Sequence, residues 1–255
     1  MQLVVDVGNT ETVVGVVAGQ SKLVAHWRLS TLVPRTVDEY QHLLGALLAE
    51  ADTGRPGAAV IGSVVPDVTA MLVPTLAALV DGPVHVVRPD SALPIRLDVE
   101  EPRTVGPDRI VNTLAARALY GRDTIAVDLG TATTFDLITA DGVFMGGVIA
   151  PGLSAGLEWL GRRTAKLPRV ELVPPAFVIG RLTETCIQSG VFYSALDGID
   201  GVVHRIVAEW GRPDPYVVAT GGFATVLGPH LATVQHIEPF LTLYGLAIAG
   251  EELRD

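Results

Sequence analysis

The sequence predicts an α/β fold made of two βββαβαβα-type halves that face each other across a cleft. Three observations carry this. The stretch VDVGNTETV at Val5–Val13 returns as VDLGTATTF at Val127–Phe135, an offset of 122 in a chain of 255 residues. Each copy opens a run of three strand patterns followed by helical ones. The composition, 49% hydrophobic and 18% charged, supplies enough apolar material for two cores. A two-copy repeat indicates a duplicated domain and not a solenoid, and it places the expected boundary between 1–119 and 120–255.

In the first half, LVVDVGN, TETVVGVV and KLVAHWRLS read as consecutive strands with turns at Gly8-Asn9 and Gly19-Gln20. A helix follows over TVDEYQHLLGALLAEA. Thr36 and Glu39 have capping-box spacing there, and Tyr40, Leu43, Leu44, Leu47 and Leu48 form one apolar stripe. AAVIGSVV predicts a buried strand, 67–80 a helix and PVHVV a further strand. In the second half, TIAVDLG, TTFDLIT and GVFMGGVIA are strands, with Asp141-Gly142 as a hairpin turn. Helical patterns cover 153–163 and 183–210, YVVAT is a buried strand ending at Gly221-Gly222, and a short strand near Val234 precedes a last helix from Phe240.

The formal charge of −10 argues against nucleic-acid or anionic-membrane partners, which require a basic patch. Cys186 is the only cysteine, so no intramolecular disulfide or thiolate zinc cluster forms, as expected of a cytoplasmic protein. No secretory signal pattern is visible. The most apolar window, 58–80, contains Pro66, Asp67 and Pro74 and reads as strand, turn and helix, not as a membrane span. Cys186 is expected to be packed, Asp136 and Asp141 to be strand-edge and turn residues, and Arg162, Arg163 and Arg169 to form a solvated face.

The repeated loop points to phosphate chemistry. Each copy has a carboxylate at a strand end, Asp6 or Asp128, followed by Gly and Thr in the turn. Backbone amides and threonine hydroxyls in such turns cradle phosphate oxygens. Bare carboxylates repel a triphosphate, so Asp6 and Asp128 imply a cation or its hydration shell between. Neither Lys22 nor Lys166 lies in a Walker A loop, and no two glycines stand two apart as a dinucleotide fingerprint requires. A third acid, Asp108, sits in VGPDRIVN at a helix N-terminus. On residue type alone it complements the helix dipole, worth ~0.3–1 kcal/mol. Arg109 beside it is suited to bidentate grip of a carboxylate. Gly221-Gly222 would let backbone approach an adenine or ribose.

An ordered set of segments makes the chain resemble the type III pantothenate kinases, within the superfamily of actin, sugar kinases and heat-shock chaperones. The segments are DVGNT at Asp6–Thr10, SVVP at Ser63–Pro66, VG-x-DRIVN at Val105–Asn112 and DLGTATTFD at Asp128–Asp136. They continue with GGVIAPGL at Gly146–Leu153, AKLPRVEL at Ala165–Leu172, IQSG after Thr183, ATGGFA at Ala219–Ala224 and LTLYGL at Leu241–Leu246. The resemblance implies a duplicated actin-like, ribonuclease H-like fold. It implies ATP-dependent phosphorylation of pantothenate to 4′-phosphopantothenate, the first step of coenzyme A biosynthesis. ATP would be bound by Asp6, Val7, Gly8, Asn9, Thr10, Glu11, Thr12 and Val13, with Thr131 in the second loop. Pantothenate would be bound by Gly106, Pro107, Asp108, Arg109 and Thr183, and Asp108 would be the proton acceptor. The same likeness implies potassium or ammonium at Asp128, magnesium with ATP, and a homodimer assembled through the second half.

Four positions depart from the pattern. Pro107 stands where Ala is usual, Glu11 charges the first loop, Val99 replaces a pocket Tyr, and Leu182 precedes Thr183 where Asn is common. Two other readings remain: a catalytically quiet nucleotide-binding regulator, and a different small-molecule kinase on the same scaffold. Thr183 is also a plausible helix N-cap whatever else it does.

Overall fold

A computed structural model describes residues 1–163, 168 and 170–254. It divides into two compact units, one of residues 1–121, 141–144 and 240–255, the other of 122–140 and 145–239.

The first unit begins with an antiparallel meander, β1 (Gln2–Val7), β2 (Glu11–Ala18) and β3 (Lys22–Ser30). Strands β4 (Ala58–Ser63) and β5 (Val84–Val86) add parallel to β1, giving the order β3-β2-β1-β4-β5. Central β1 and β4 are apolar runs because helices cover both of their faces. Edge strand β3 alternates exposed and half-buried residues. Helix α1 (Val37–Glu50) starts on the expected capping box. The Glu39 amide donates to Thr36 Oγ1 at 3.3 Å, and the Thr36 amide donates to Glu39 Oε2 at 2.7 Å. Helix α2 (Pro66–Leu79) packs with α1 on one sheet face, around Leu3, Val5, Tyr40, Leu44, Leu72 and Leu76. A two-residue strand β6 (Arg96–Leu97) and a 3-10 turn at Pro102–Thr104 lead into α3 (Pro107–Tyr120). That helix stops at Gly121, whose φ of 57° is the left-handed cap.

The second unit repeats the meander as β7 (Thr124–Leu129), β8 (Ala132–Ile138) and β9 (Val143–Pro151). The first two residues of β9 belong to the first unit, where Val143 and Phe144 pair in parallel with Arg96 and Leu97. Helix α4 (Leu153–Arg163) follows, then α5 (Thr183–Trp210), whose Phe192, Leu196, Ile199 and Val203 cover Ile125, Val127 and Phe135. Strand β10 (Tyr216–Thr220) lies parallel to β7, a short α6 (Ala224–Leu227) follows, and β11 (His236–Ile237) closes the edge. Asp200 on α5 fixes the approach to β11 by accepting from the amides of Ala232 and Thr233 and from Thr233 Oγ1.

The last helix, α7 (Leu241–Glu252), returns to the first unit. The repeat places it in the second half, but it is buried nearly all round and packs on α3, β1 and β4. Gln2 Nε2 donates to the Ala247 carbonyl at 2.9 Å, and Thr242 Oγ1 donates to Asn112 Oδ1 at 2.9 Å. Gly245 is required at the α3 crossing, where a Cβ would lie 2.1 Å from the Val111 carbonyl oxygen.

Other expectations change. The short strand near Val234 lies at 236–237, displaced by the Asp200 bonds. Asp136 is fully buried within β8, not at an edge, and Cys186 is exposed on the outer side of α5. Leu182 is the N-cap of α5, and Thr183 is its first helical residue. The solvated face expected of Arg162, Arg163 and Arg169 lies outside the described side chains. Ala165, Lys166 and Leu167 of the AKLPRVEL segment lie outside the described residues.

Candidate active site

In the first unit, Asp6 is the last but one residue of β1, half-buried, with Val13 and Gly62 as its register partners. The chain then turns back tightly. The Gly8 amide donates to the Glu11 carbonyl at 3.0 Å, leaving Gly8, Asn9 and Thr10 at the tip. A Cβ on Gly8 would meet that same carbonyl at 3.0 Å. The loop is anchored to the end of β3, where the Thr31 amide donates to the Thr10 carbonyl at 2.9 Å. Thr12 works from beneath: its hydroxyl, fully buried, bonds Thr31 Oγ1 at 2.8 Å, so this threonine braces the turn instead of presenting its hydroxyl. Glu11 is paired with Arg28 of β3, Nη1 to Oε2 at 2.8 Å. The extra negative charge of this loop is therefore met by a cation of the same meander. Val13 follows in the ladder opposite Arg28.

Asp108 comes to the same end of the sheet. A Cβ on Gly62, the neighbour of Asp6 across the ladder, would meet Leu246 Cδ2 at 3.2 Å and Pro107 Cβ at 3.6 Å. Adjacent parallel strands are ~4.8 Å apart, so α3 begins one strand away from Asp6. Gly106 is the N-cap, Pro107 occupies the first turn where no amide hydrogen is needed, and Asp108 follows. The carboxylate of Asp108 folds back over Gly106, where a Cβ would stand 2.3 Å from Oδ1. That oxygen is buried and accepts no hydrogen bond from the described residues. A side chain that merely served the helix dipole would turn its oxygens to the free amides or to water. The guanidinium of Arg109 lies over the ring of Phe144, 4.9 Å from its centroid.

In the second unit, Asp128 is the last but one residue of β7, opposite Thr134 on one side and Thr220 on the other. Gly130 and Gly221 flank its carboxylate. Gly221 has φ of 89°, and a Cβ there would lie 2.2 Å from Asp128 Oδ1. Thr220 Oγ1 is buried without a partner among the described residues, beside Asp128 in register. Thr131, exposed at the loop tip, is held from behind by Gly152, where a Cβ would lie 2.2 Å from the Thr131 carbonyl oxygen. Gly152 lies in the GGVIAPGL segment, and its packing against the second loop is not visible in the sequence. It opens Gly152-Leu153-Ser154-Ala155-Gly156, the spacing of a nucleophile elbow. Its glycine is explained instead by this close approach to the second loop. Thr183 is exposed at the first turn of α5 in this unit.

A family model described as type III pantothenate kinase matches residues 2–205. The chain belongs to the type III pantothenate kinase family. Curated relatives bearing that family name include one from Moorella thermoacetica, 42% identical over 98% of this chain and 99% of its own length. Another, from Syntrophotalea carbinolica, is 44% identical over 97% of each chain. Among solved structures, a ROK family glucokinase from Streptomyces griseus in complex with glucose and AMPPNP aligns over 98% of both chains, with a TM-score of 0.53 and 14% identity. At that identity the likeness shows the fold, which is the duplicated actin-like one of the sugar kinases. Among the described residues, no helix is long and apolar enough to cross a membrane. Nor do any three His, Cys, Asp or Glu among them gather as a metal-binding group.

Proposed function

We propose that this chain is a pantothenate kinase that transfers the terminal phosphoryl of ATP to the primary hydroxyl of pantothenate. The observation that carries the reading beyond family membership is the Asp108 carboxylate. It is folded over Gly106 with a buried oxygen that has no partner among the described residues, one strand from the Asp6 loop. Phosphoryl transfer through a loose transition state relies on in-line positioning and charge neutralisation more than on a strong base. Asp108 orients the hydroxyl early and takes its proton as the new phosphorus–oxygen bond forms and the bond to ADP breaks. Arg109 holds the pantothenate carboxylate. In the first unit the amides of Asn9 and Thr10 and the Thr10 hydroxyl offer donors to the triphosphate, and in the second unit Thr131 offers its hydroxyl.

The Asp128 cradle supports a potassium or ammonium site. Its donors are oxygens only, from one carboxylate, the buried Thr220 hydroxyl and nearby backbone, which suits a hard monovalent cation. Such an ion, with magnesium on the nucleotide, supplies the positive charge that an acidic protein of net −10 otherwise lacks. A homodimer is supported by the run before Thr183, where Phe177, Ile179 and Leu182 are 79%, 83% and 68% exposed. A cytoplasmic location accords with the single, exposed cysteine.

The deciding measurement is ADP release by the purified protein with magnesium, with and without pantothenate and potassium. Turnover requires all of them. Tight nucleotide binding by calorimetry without turnover would replace this reading with that of a quiet binding module, and turnover only with another hydroxy acid or sugar would reassign the substrate.

A further inference from the structure

Phe144 is assigned no role by the family likeness, yet its ring lies beneath the guanidinium of Arg109, a side chain suited to a carboxylate. Its ring is 1% exposed, and the Arg109 guanidinium lies 4.9 Å from the centroid. A guanidinium stacked on a ring uses its face, which makes no hydrogen bonds, and keeps its N–H fork in the plane where a planar anion is gripped. The ring is itself held in place. Phe144 pairs with Leu97 across β6, and the Asp98 amide donates to the Phe144 carbonyl at 2.9 Å. The Arg96 amide donates to the Gly142 carbonyl at 3.0 Å on the preceding step. Strand β6 leads through the 3-10 turn at 102–104 to the N-terminus of α3. The same two-residue ladder therefore ties the strand that carries the ring to the segment that leads into the helix bearing Arg109.

We propose that Phe144 is a positioning residue for pantothenate, a stacking platform that fixes the Arg109 fork toward the substrate carboxylate. This rests on the kinase reading above. Steady-state kinetics with each substrate varied test it. Phe144→Leu is expected to raise the pantothenate KM about ten-fold, equivalent to ~1.4 kcal/mol, with kcat and the ATP KM changed less than about two-fold. Phe144→Tyr, which keeps a π face, is expected to retain the wild-type pantothenate KM. In a double-mutant cycle, Arg109→Lys is expected to cost less in the Phe144→Leu background than in the wild type. Should Phe144→Leu fail to fold, Phe144→Met keeps the volume without the ring and carries the same expectation.

An unchanged pantothenate KM in the ring-less variant would overturn the proposal. So would equal losses for both substrates, or additive effects in the cycle. If wild-type protein shows no turnover, the kinase reading fails on its own. The platform is then judged by calorimetry with pantothenate, where Phe144→Leu must weaken binding by the same factor and an unchanged Kd overturns it.

Discussion

Asp108 and Gly106 act as one device at the residue scale. The carboxylate occupies the volume that any side chain at position 106 would fill, so Gly106→Ala must move it. We expect this variant to lose about 10²-fold in kcat, similar to Asp108→Asn, with a melting temperature close to wild type. Unaltered kcat in either would remove Asp108 from the reaction. Glu11 and Arg28 are a second coupled pair, at 2.8 Å and both partly exposed. Arg28→Ala leaves the Glu11 charge unopposed in the first loop. It should raise the ATP KM several-fold at low salt and less at high salt, and Glu11→Gln in the same chain should restore it. An ATP KM that is indifferent to both substitutions would show that this charge lies too far from the phosphates to matter.

Elements were legible where periodicity or capping declared them. The two meanders, α1 with its Thr36–Glu39 box, and α3 opening on Pro107 all follow from local pattern. Strand β6 was not, because two residues carry no period and Arg96 and Leu97 become a strand only by pairing with β9. Nor could the alternation in β9 reveal that the buried ring of Phe144 lies under the Arg109 guanidinium. The brace formed by Thr12 and Thr31 was hidden for a similar reason, since its partners are 19 residues apart. Within the second unit, Asp200 of α5 has a testable role. Burial raises its pKa, but the Thr233 hydroxyl, the amides of Ala232 and Thr233 and nearby His204 outweigh that and hold it below the ordinary value. A depressed folded pKa contributes stability that is present above the ordinary carboxylate range, near ~4, and is lost as pH falls through the folded value. Asp200→Asn should therefore melt below wild type at pH 7, and the gap should close as the pH falls through the depressed folded value. A gap independent of pH would assign the effect to packing alone.

At the scale of the whole molecule, the exposed run at Phe177, Ile179 and Leu182 predicts the assembly state. Phe177→Asp with Ile179→Asp should convert a dimer to a monomer in sedimentation, and a wild-type protein that sediments as a monomer would withdraw the homodimer. The repeat made the duplicated architecture readable, but it misplaced α7, since a repeat reports ancestry and not which core a segment finally joins. Helix α7 closes on α3 through Gly245, and a Cβ there should cost at least ~1–3 kcal/mol by overpacking, measured for Gly245→Ala by urea unfolding. The return of residues 241–252 also has a consequence for biosynthesis. Segments usually mature on the ribosome in the order they emerge, yet the earliest-made unit here lacks one wall until translation has passed position 252. Nascent chains arrested before α7 should stay protease-sensitive in their first 120 residues, however long they wait.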